Sequence, residues 1–170
     1  SYSAILSFLS PWIIPASVLK RTSLALNFHP GSTSYPGIGC YNFALYEEAE
    51  IFGAVCHYMA PKVDAGLIVE EKLFSVLPNE TVQSLKFRTM VVMLAMFHNQ
   101  VEKIAQGTVP PISALKWKCE PFSRKQLNSL GELTRQMPND EIKRRKRAMS
   151  YPGYPGAKFV DDNSPINSTR

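Results

Sequence analysis

Asn27-Phe28-His29-Pro30-Gly31-Ser32 places an amide and an imidazole two residues apart at the end of the apolar run Leu24-Ala25-Leu26. Side chains alternate along a strand, so both project from one face. Pro30-Gly31 breaks the strand directly after them, at a sheet end of the kind where open α/β folds place ligand sites. Downstream, Asp64 sits in Val63-Asp64-Ala65-Gly66, a loop between two further apolar runs. Brought together, these groups would supply an oxyanion donor (Asn27), a proton acceptor (His29) and an orienting carboxylate (Asp64). The same residues also fit purely structural parts: a loop cap, a satisfied histidine at a strand end and a turn former before Gly66. Spacing alone leaves both readings open.

The elements that must position them are legible in the hydrophobic pattern. Ala4–Leu9 is a continuous apolar run suited to a strand covered on both faces. Pro11 and Pro15 bracket Trp12-Ile13-Ile14 and hold that piece extended. A brief helix over 15–20 and a strand over 24–29 follow, so strand–helix–strand reads as a right-handed parallel crossover. The loop Pro30–Gly39 has three glycines and two prolines, a composition that gives fixed turns. A helix over 40–48, a strand over 51–59 and a strand over 67–74 come next, and the loop 60–66 returns Asp64 to the mouth of the sheet. Asn79 is expected to cap the longest helix, Glu80 to about Gln106, closed by Gly107. Its Val82, Leu85, Val92, Met93, Met96, Phe97, Val101 and Ile104 recur at helical steps and should cover one sheet face, with His98 incidental. After Thr108-Val109-Pro110-Pro111 the chain turns more polar. Ser123-x-x-Gln126 resembles a capping box opening a helix through Leu133, Asn139 or Asp140 opens another to Met149, and Tyr151–Gly156 forms a rigid aromatic turn. The organisation expected is therefore 1–107, an extension over 108–160 and a mobile tail over 161–170.

Composition bounds the classes. A chain of 170 residues with 45% hydrophobic and 11% aromatic content can bury one sizeable core. The apolar runs fall short of a membrane span. Cys40, Cys56 and Cys119 are odd in number and widely spaced, which points to free thiols in a reducing compartment, and a cytoplasmic location, rather than a zinc site. Much of the +5 net charge lies in Lys143-Arg144-Arg145-Lys146-Arg147. That run reads as the solvated basic face of a helix, with a clamp on a phosphate as the sharper alternative. No aromatic residues interleave it, so nucleic acid is not the expected partner.

Asn-x-His-Pro, a glycine-containing loop, a helix and then Asp-x-Gly resembles the folate-dependent formyltransferase family. That family includes the methionyl-tRNA, glycinamide-ribonucleotide and sugar-amine N-formyltransferases. The likeness extends through Tyr35–Leu45 and Gly53–Met59 to Val63–Ile68, and covers roughly the first 75 residues. It implies an α/β, Rossmann-like sheet flanked by helices with a small helical extension, and it implies that an amino-terminal half of the domain is missing here. It implies formyl transfer from 10-formyltetrahydrofolate to the primary amine of a small molecule, with Asn27, His29 and Asp64 catalytic, His57 secondary, and no metal. The pterin is then expected against Phe8, Leu9, Trp12, Ile13, Ala60 and Val63. Many family members carry His-Pro-Ser-Leu-Leu-Pro where this chain has His29-Pro30-Gly31-Ser32-Thr33-Ser34-Tyr35-Pro36. That loop lies near the acceptor, so the departure bears on which amine is used. The tail Arg147–Gly156 resembles sugar-amine members, and the chain has no room for the extra β-barrel of the tRNA enzymes. A nucleotide-linked amino sugar is the expected acceptor. The alternatives are a methionyl-tRNA formyltransferase-like enzyme and a degenerate domain that binds folate or a partner without turnover.

Overall fold

The computed structural model describes residues 2–160; the tail expected over 161–170 lies outside them. Four strands form one sheet in the order β1 (Tyr2–Phe8), β2 (Thr22–His29), β3 (Ile51–Tyr58) and β4 (Ile68–Ser75). β1 and β2 are parallel, joined through the short helix α1 (Ala16–Leu19), with Ser7 opposite Asn27 and Phe8 opposite Phe28. The expected parallel crossover is therefore present. The other two pairings are antiparallel, with Asn27 opposite His57 and His29 opposite Val55. The sheet is mixed, as an α/β sheet with antiparallel edge strands commonly is.

Strand alternation divides the sheet into two chemically distinct faces. Leu26, Phe28, Ala54 and Cys56 pack with Met93 and Met96 of α3 (Val82–Ala105), which covers one face as the methionine stripe predicts. Phe8, Phe28 and Phe97 form an aromatic cluster there, with ring centroids 5.3–6.1 Å apart. Asn27, His29, Val55 and His57 consequently face the other way. Their face is roofed by the loop after β2 and by the segment that follows Gly107. Lys118 N–H donates to the Thr33 carbonyl (2.9 Å), and Ser113 N–H to the Ile68 carbonyl (2.8 Å). Gly37 and Phe122 form a parallel bridge, flanked by Ile38 N–H to Phe122 O and Phe122 N–H to Pro36 O, both 2.9 Å.

A second cluster joins α2 (Cys40–Tyr46) to Phe52, Val82, Leu85, Leu130 and Ala148. Asn42 Nδ2 donates to the Ala148 carbonyl (2.7 Å), tying α2 to α5 (Asn139–Met149). The C-terminal helices thus buttress the helix that follows the His29 loop.

Two local expectations are corrected. Thr81, not Asn79, caps α3: its hydroxyl accepts from Ser84 N–H while the Ser84 hydroxyl accepts from Thr81 N–H. This reciprocal pair satisfies two otherwise orphan donors, and it starts the helix two residues later than expected. Thr81→Ala should cost about 0.5–2 kcal/mol, read as a fall in Tm of roughly 2–4 °C for each kcal/mol in a chain this size. α4 spans only Arg124–Leu130, because Gly131 ends it and Glu132–Leu133 (β5) pairs in parallel with Lys158–Phe159 (β6). Its Ser123/Gln126 capping box is present as the sequence indicates.

The basic run on α5 is in part the solvated face expected: Lys143, Arg144 and Lys146 are exposed, while Arg145 and Arg147 are half-buried. Arg145 Nη1 donates to the Ser129 and Glu132 carbonyls (2.7 and 3.2 Å), and Arg147 to the Pro78 and Glu80 carbonyls. Arg144 and Arg145 both reach Glu141 at 2.6 Å. Arg145 and Arg147 therefore tie the helix to neighbouring backbone, and Arg144 pairs with Glu141 along the helix surface.

Candidate active site

The loop between β3 and β4 folds back over the polar face and lowers Asp64 onto two imidazoles. Asp64 Oδ2 lies 3.1 Å from His29 Nδ1 and Oδ1 lies 3.3 Å from His57 Nε2, with all three side chains about 5% exposed or less. Gly37 N–H donates a third hydrogen bond to Oδ2 at 2.8 Å. Asp64 adopts a left-handed backbone conformation (φ 44°), which aspartate tolerates better than most residues. Gly66 lets this loop pass tightly over β3, since a Cβ there would run into the Tyr58 carbonyl. Burial alone would push the Asp64 carboxyl up. The hydrogen bonds from His29 and His57, the charge of His29 and the Gly37 N–H outweigh it and hold the group far below the usual carboxylate range.

Asn27 joins this set through His57 rather than directly. Its Nδ2 is 3.1 Å from His57 Nε2, and His57 Nδ1 donates to the Tyr58 carbonyl at 2.8 Å. His57, a minor participant in the sequence reading, thus links the amide to the carboxylate. Its cross-strand position opposite Asn27 follows from register, which local sequence does not encode. Trp117 was missed altogether. Its ring meets the His29 and His57 rings edge-on at 5.8 and 5.2 Å, and its Nε1–H donates to the Gly66 carbonyl at 2.9 Å. It shields both imidazoles on the side away from the main cavity, and only its lone aromatic character in a polar stretch could have marked it.

Cys40, near the same loop, is no nucleophile. Burial pushes its thiol up to about 12, and its Sγ–H donates to the Pro30 carbonyl at 3.1 Å.

Asn27, His29, His57 and Asp64 all border one cavity of 410 Å³. Leu9, Trp12, Ile13, Ala60 and Val63 line it as well, and Ser7, Ile14 and Met59 join them. Phe8 does not. Alternation turns it to the opposite face, against Phe28 and Phe97. Leu9, the next residue, takes a positive φ of 53°, a costly conformation for leucine that swings the chain across the cavity mouth. Trp12 and Ile13 are 80% and 72% exposed, so a flat apolar surface stands open beside buried polar groups. Gly37, Ile38, Arg124 and Lys62 also line it. The lining can therefore offer an apolar surface to a flat ring, cations to an anionic group and polar groups to a reacting carbonyl.

A formyl transferase family model matches residues 6–99, more than half of the chain. The chain belongs to the formyl transferase family. The trifunctional purine biosynthetic protein adenosine-3 of Chironomus tentans is 30% identical over 109 residues, which is 64% of this chain and 8% of that protein. Among solved structures, a 4-N formyltransferase from Francisella tularensis shares the fold with a TM-score of 0.79 at 21% identity, over 94% of this chain and 66% of that one. An N-formyltransferase from Helicobacter canadensis, solved with folinic acid and dTDP-3-aminofucose, matches with a TM-score of 0.70 at 20% identity, over 84% of this chain and 53% of that one. The chain thus spans a small part of that curated relative and at most about two thirds of these solved structures. Among the described residues, no helix is long and apolar enough to cross a membrane.

Proposed function

We propose that the chain transfers a formyl group from 10-formyltetrahydrofolate to the primary amine of a nucleotide-linked amino sugar. The observation that carries this reading is one cavity whose lining combines Asn27, His29, His57 and Asp64 with exposed apolar residues and the cations Arg124 and Lys62. The apolar wall of Leu9, Trp12, Ile13 and Val63 suits a pterin. A flat heteroaromatic ring gains most where large apolar side chains are already exposed and preorganised. Arg124 and Lys62 suit the phosphates of a nucleotide-linked acceptor, and Lys62 already pairs with Glu120 across the rim. Family membership and the folate and dTDP-amino sugar bound by the Helicobacter canadensis protein support the same choice.

The chemistry asks little more of the chain. The amine nitrogen attacks the formyl carbon, and the carbonyl electron pair moves onto oxygen. That pair then re-forms the carbonyl as the bond to N10 breaks, and N10 takes up the proton that the amine gives up. Asn27 serves as donor to the developing oxyanion, and His29, oriented by Asp64, stands beside it. His57 fixes the Asn27 amide.

Folinic acid should bind this cavity, and Trp12→Ala should weaken it by about 1.5–3 kcal/mol, the worth of one large apolar contact, or roughly tenfold or more in Kd. Titration calorimetry with the purified chain reads both. Undetectable folinic acid binding, or Trp12→Ala binding as tightly as wild type, would remove the donor from the proposal.

A further inference from the structure

A second cavity, of 450 Å³, shares Lys62 and Asp64 with the first and adds Trp117, Lys118, Cys119 and Glu120 to its lining. Its wall is fixed to neighbouring backbone. Trp117 Nε1–H donates to the Gly66 carbonyl (2.9 Å), Lys118 N–H to the Thr33 carbonyl (2.9 Å) and Cys119 Sγ–H to the Ser34 carbonyl (3.2 Å). The indole is therefore a half-buried aromatic surface held in place, while Lys62 and Lys118 are exposed. An aromatic surface together with two cations is the chemistry that takes a nucleobase and its phosphates. Both carboxylates of the lining are already engaged. Asp64 faces Gly37 N–H and the two imidazoles, and Glu120 pairs with Lys62. The Lys62–Glu120 pair is 61% and 84% exposed, so it is weak and open to competition from another anion.

We propose that the second cavity binds a nucleoside diphosphate, its base against Trp117 and its phosphates on Lys62 and Lys118, and that Glu120 is an internal competitor that holds Lys62 until the diphosphate displaces it. The proposal rests on the nucleotide-linked acceptor reading for its catalytic meaning. Lys62 is the cation common to both cavities, so within that reading it links the nucleotide to the cavity that holds Asn27 and His29. Glu120 then sets which acceptors are held. A diphosphate replaces the carboxylate on Lys62 and adds Lys118, whereas an amine without an anionic group has nothing to exchange for the ion pair.

The test uses the chain's two tryptophans, of which Trp12 lines the first cavity and Trp117 the second. Trp12→Phe leaves Trp117 as the sole indole emitter, and Trp12 is exposed, so the fold does not depend on it. In that chain dTDP should quench Trp117 emission saturably, and less tightly as salt is raised. Glu120→Gln should tighten dTDP binding by roughly two- to fivefold, the scale of one exposed ion pair. Lys118→Glu should weaken it by about tenfold or more, because a cation is replaced by a like charge. Both positions are exposed, and circular dichroism checks that each variant stays folded. Absence of quenching, or a Glu120→Gln chain that binds dTDP no more tightly, would overturn the proposal. A polyglutamyl folinic acid that binds more tightly than the monoglutamate form, with the gain lost in Lys118→Glu, would give the cavity to the folate tail and overturn it too. Formyl transfer to a dTDP-linked amino sugar with no Trp117 response would remove this site and leave the functional reading standing. A Trp117 response that follows both variants, with no transfer, would support the site and count against the functional reading.

Discussion

Asp64→Asn should lower kcat by about 10²–10³-fold, the span typical of losing one element of oxyanion stabilisation, while leaving the chain folded. The carboxylate accepts from Gly37 N–H and lies 3.1 Å from His29 Nδ1 and 3.3 Å from His57 Nε2, and the neutral isostere keeps its shape but not its charge. Asp64→Ala goes further, because it strands two buried imidazoles and a backbone donor. Removing one partner of a buried, hydrogen-bonded charge typically costs about 3–5 kcal/mol. The pH dependence has a definite sign. The folded carboxyl is held below its ordinary value of 3.8, so its contribution to stability is present in full above that value. It is lost as pH falls from there toward the depressed folded value. Thermal melts of wild type and Asp64→Asn should therefore differ at neutral pH and converge in strong acid. A difference that persists unchanged into strong acid would contradict the assignment of Asp64 as the charged hub.

Asn27→Ala should lower kcat by about 10²–10³-fold, or roughly 2.7–4 kcal/mol in the barrier, as loss of one oxyanion donor does. Affinity for folinic acid should be unchanged, because the apolar wall of Leu9, Trp12 and Ile13 does not depend on the amide. Steady-state kinetics beside calorimetry separate the two effects. A rise in KM at constant kcat would assign Asn27 to ground-state binding instead.

The candidate site was legible in the sequence to the extent that local pattern governs where its residues lie. Asn27 and His29 share a face because strands alternate, and Asp64 sits in a loop because Ala60-Pro61 and Ala65-Gly66 interrupt two apolar runs. Strand and helix existence followed from periodicity, and the misplaced boundaries fell at caps, where Thr81 and Ser84 satisfy each other in a way that composition near Asn79 obscures. Long-range pairing was not legible. His57 becomes the bridge between Asn27 and Asp64 through antiparallel register, and Trp117 reaches the histidines through backbone hydrogen bonds from Lys118 and Phe122 to the loop after β2. Phe8 was misassigned by a single step of alternation, since Ser7 and Leu9 border the cavity and the residue between them turns into the aromatic cluster under α3. The basic run is the exposed face expected at Lys143, Arg144 and Lys146, and departs from it at two anchored arginines. Sequence shows the charge of Arg145 and Arg147 but not the carbonyls at Ser129 and Glu80 that engage them.

The most direct test follows the reacting carbon. The chain is incubated with 10-formyltetrahydrofolate carrying carbon-13 in the formyl group and with a dTDP-linked amino sugar, and the label is followed by NMR. The account predicts that the label moves to the sugar nitrogen as a formamide, with tetrahydrofolate released, and that His29→Ala and Asn27→Ala abolish most of that transfer. Folate that binds while the label stays on N10, or transfer undiminished in both variants, would contradict it.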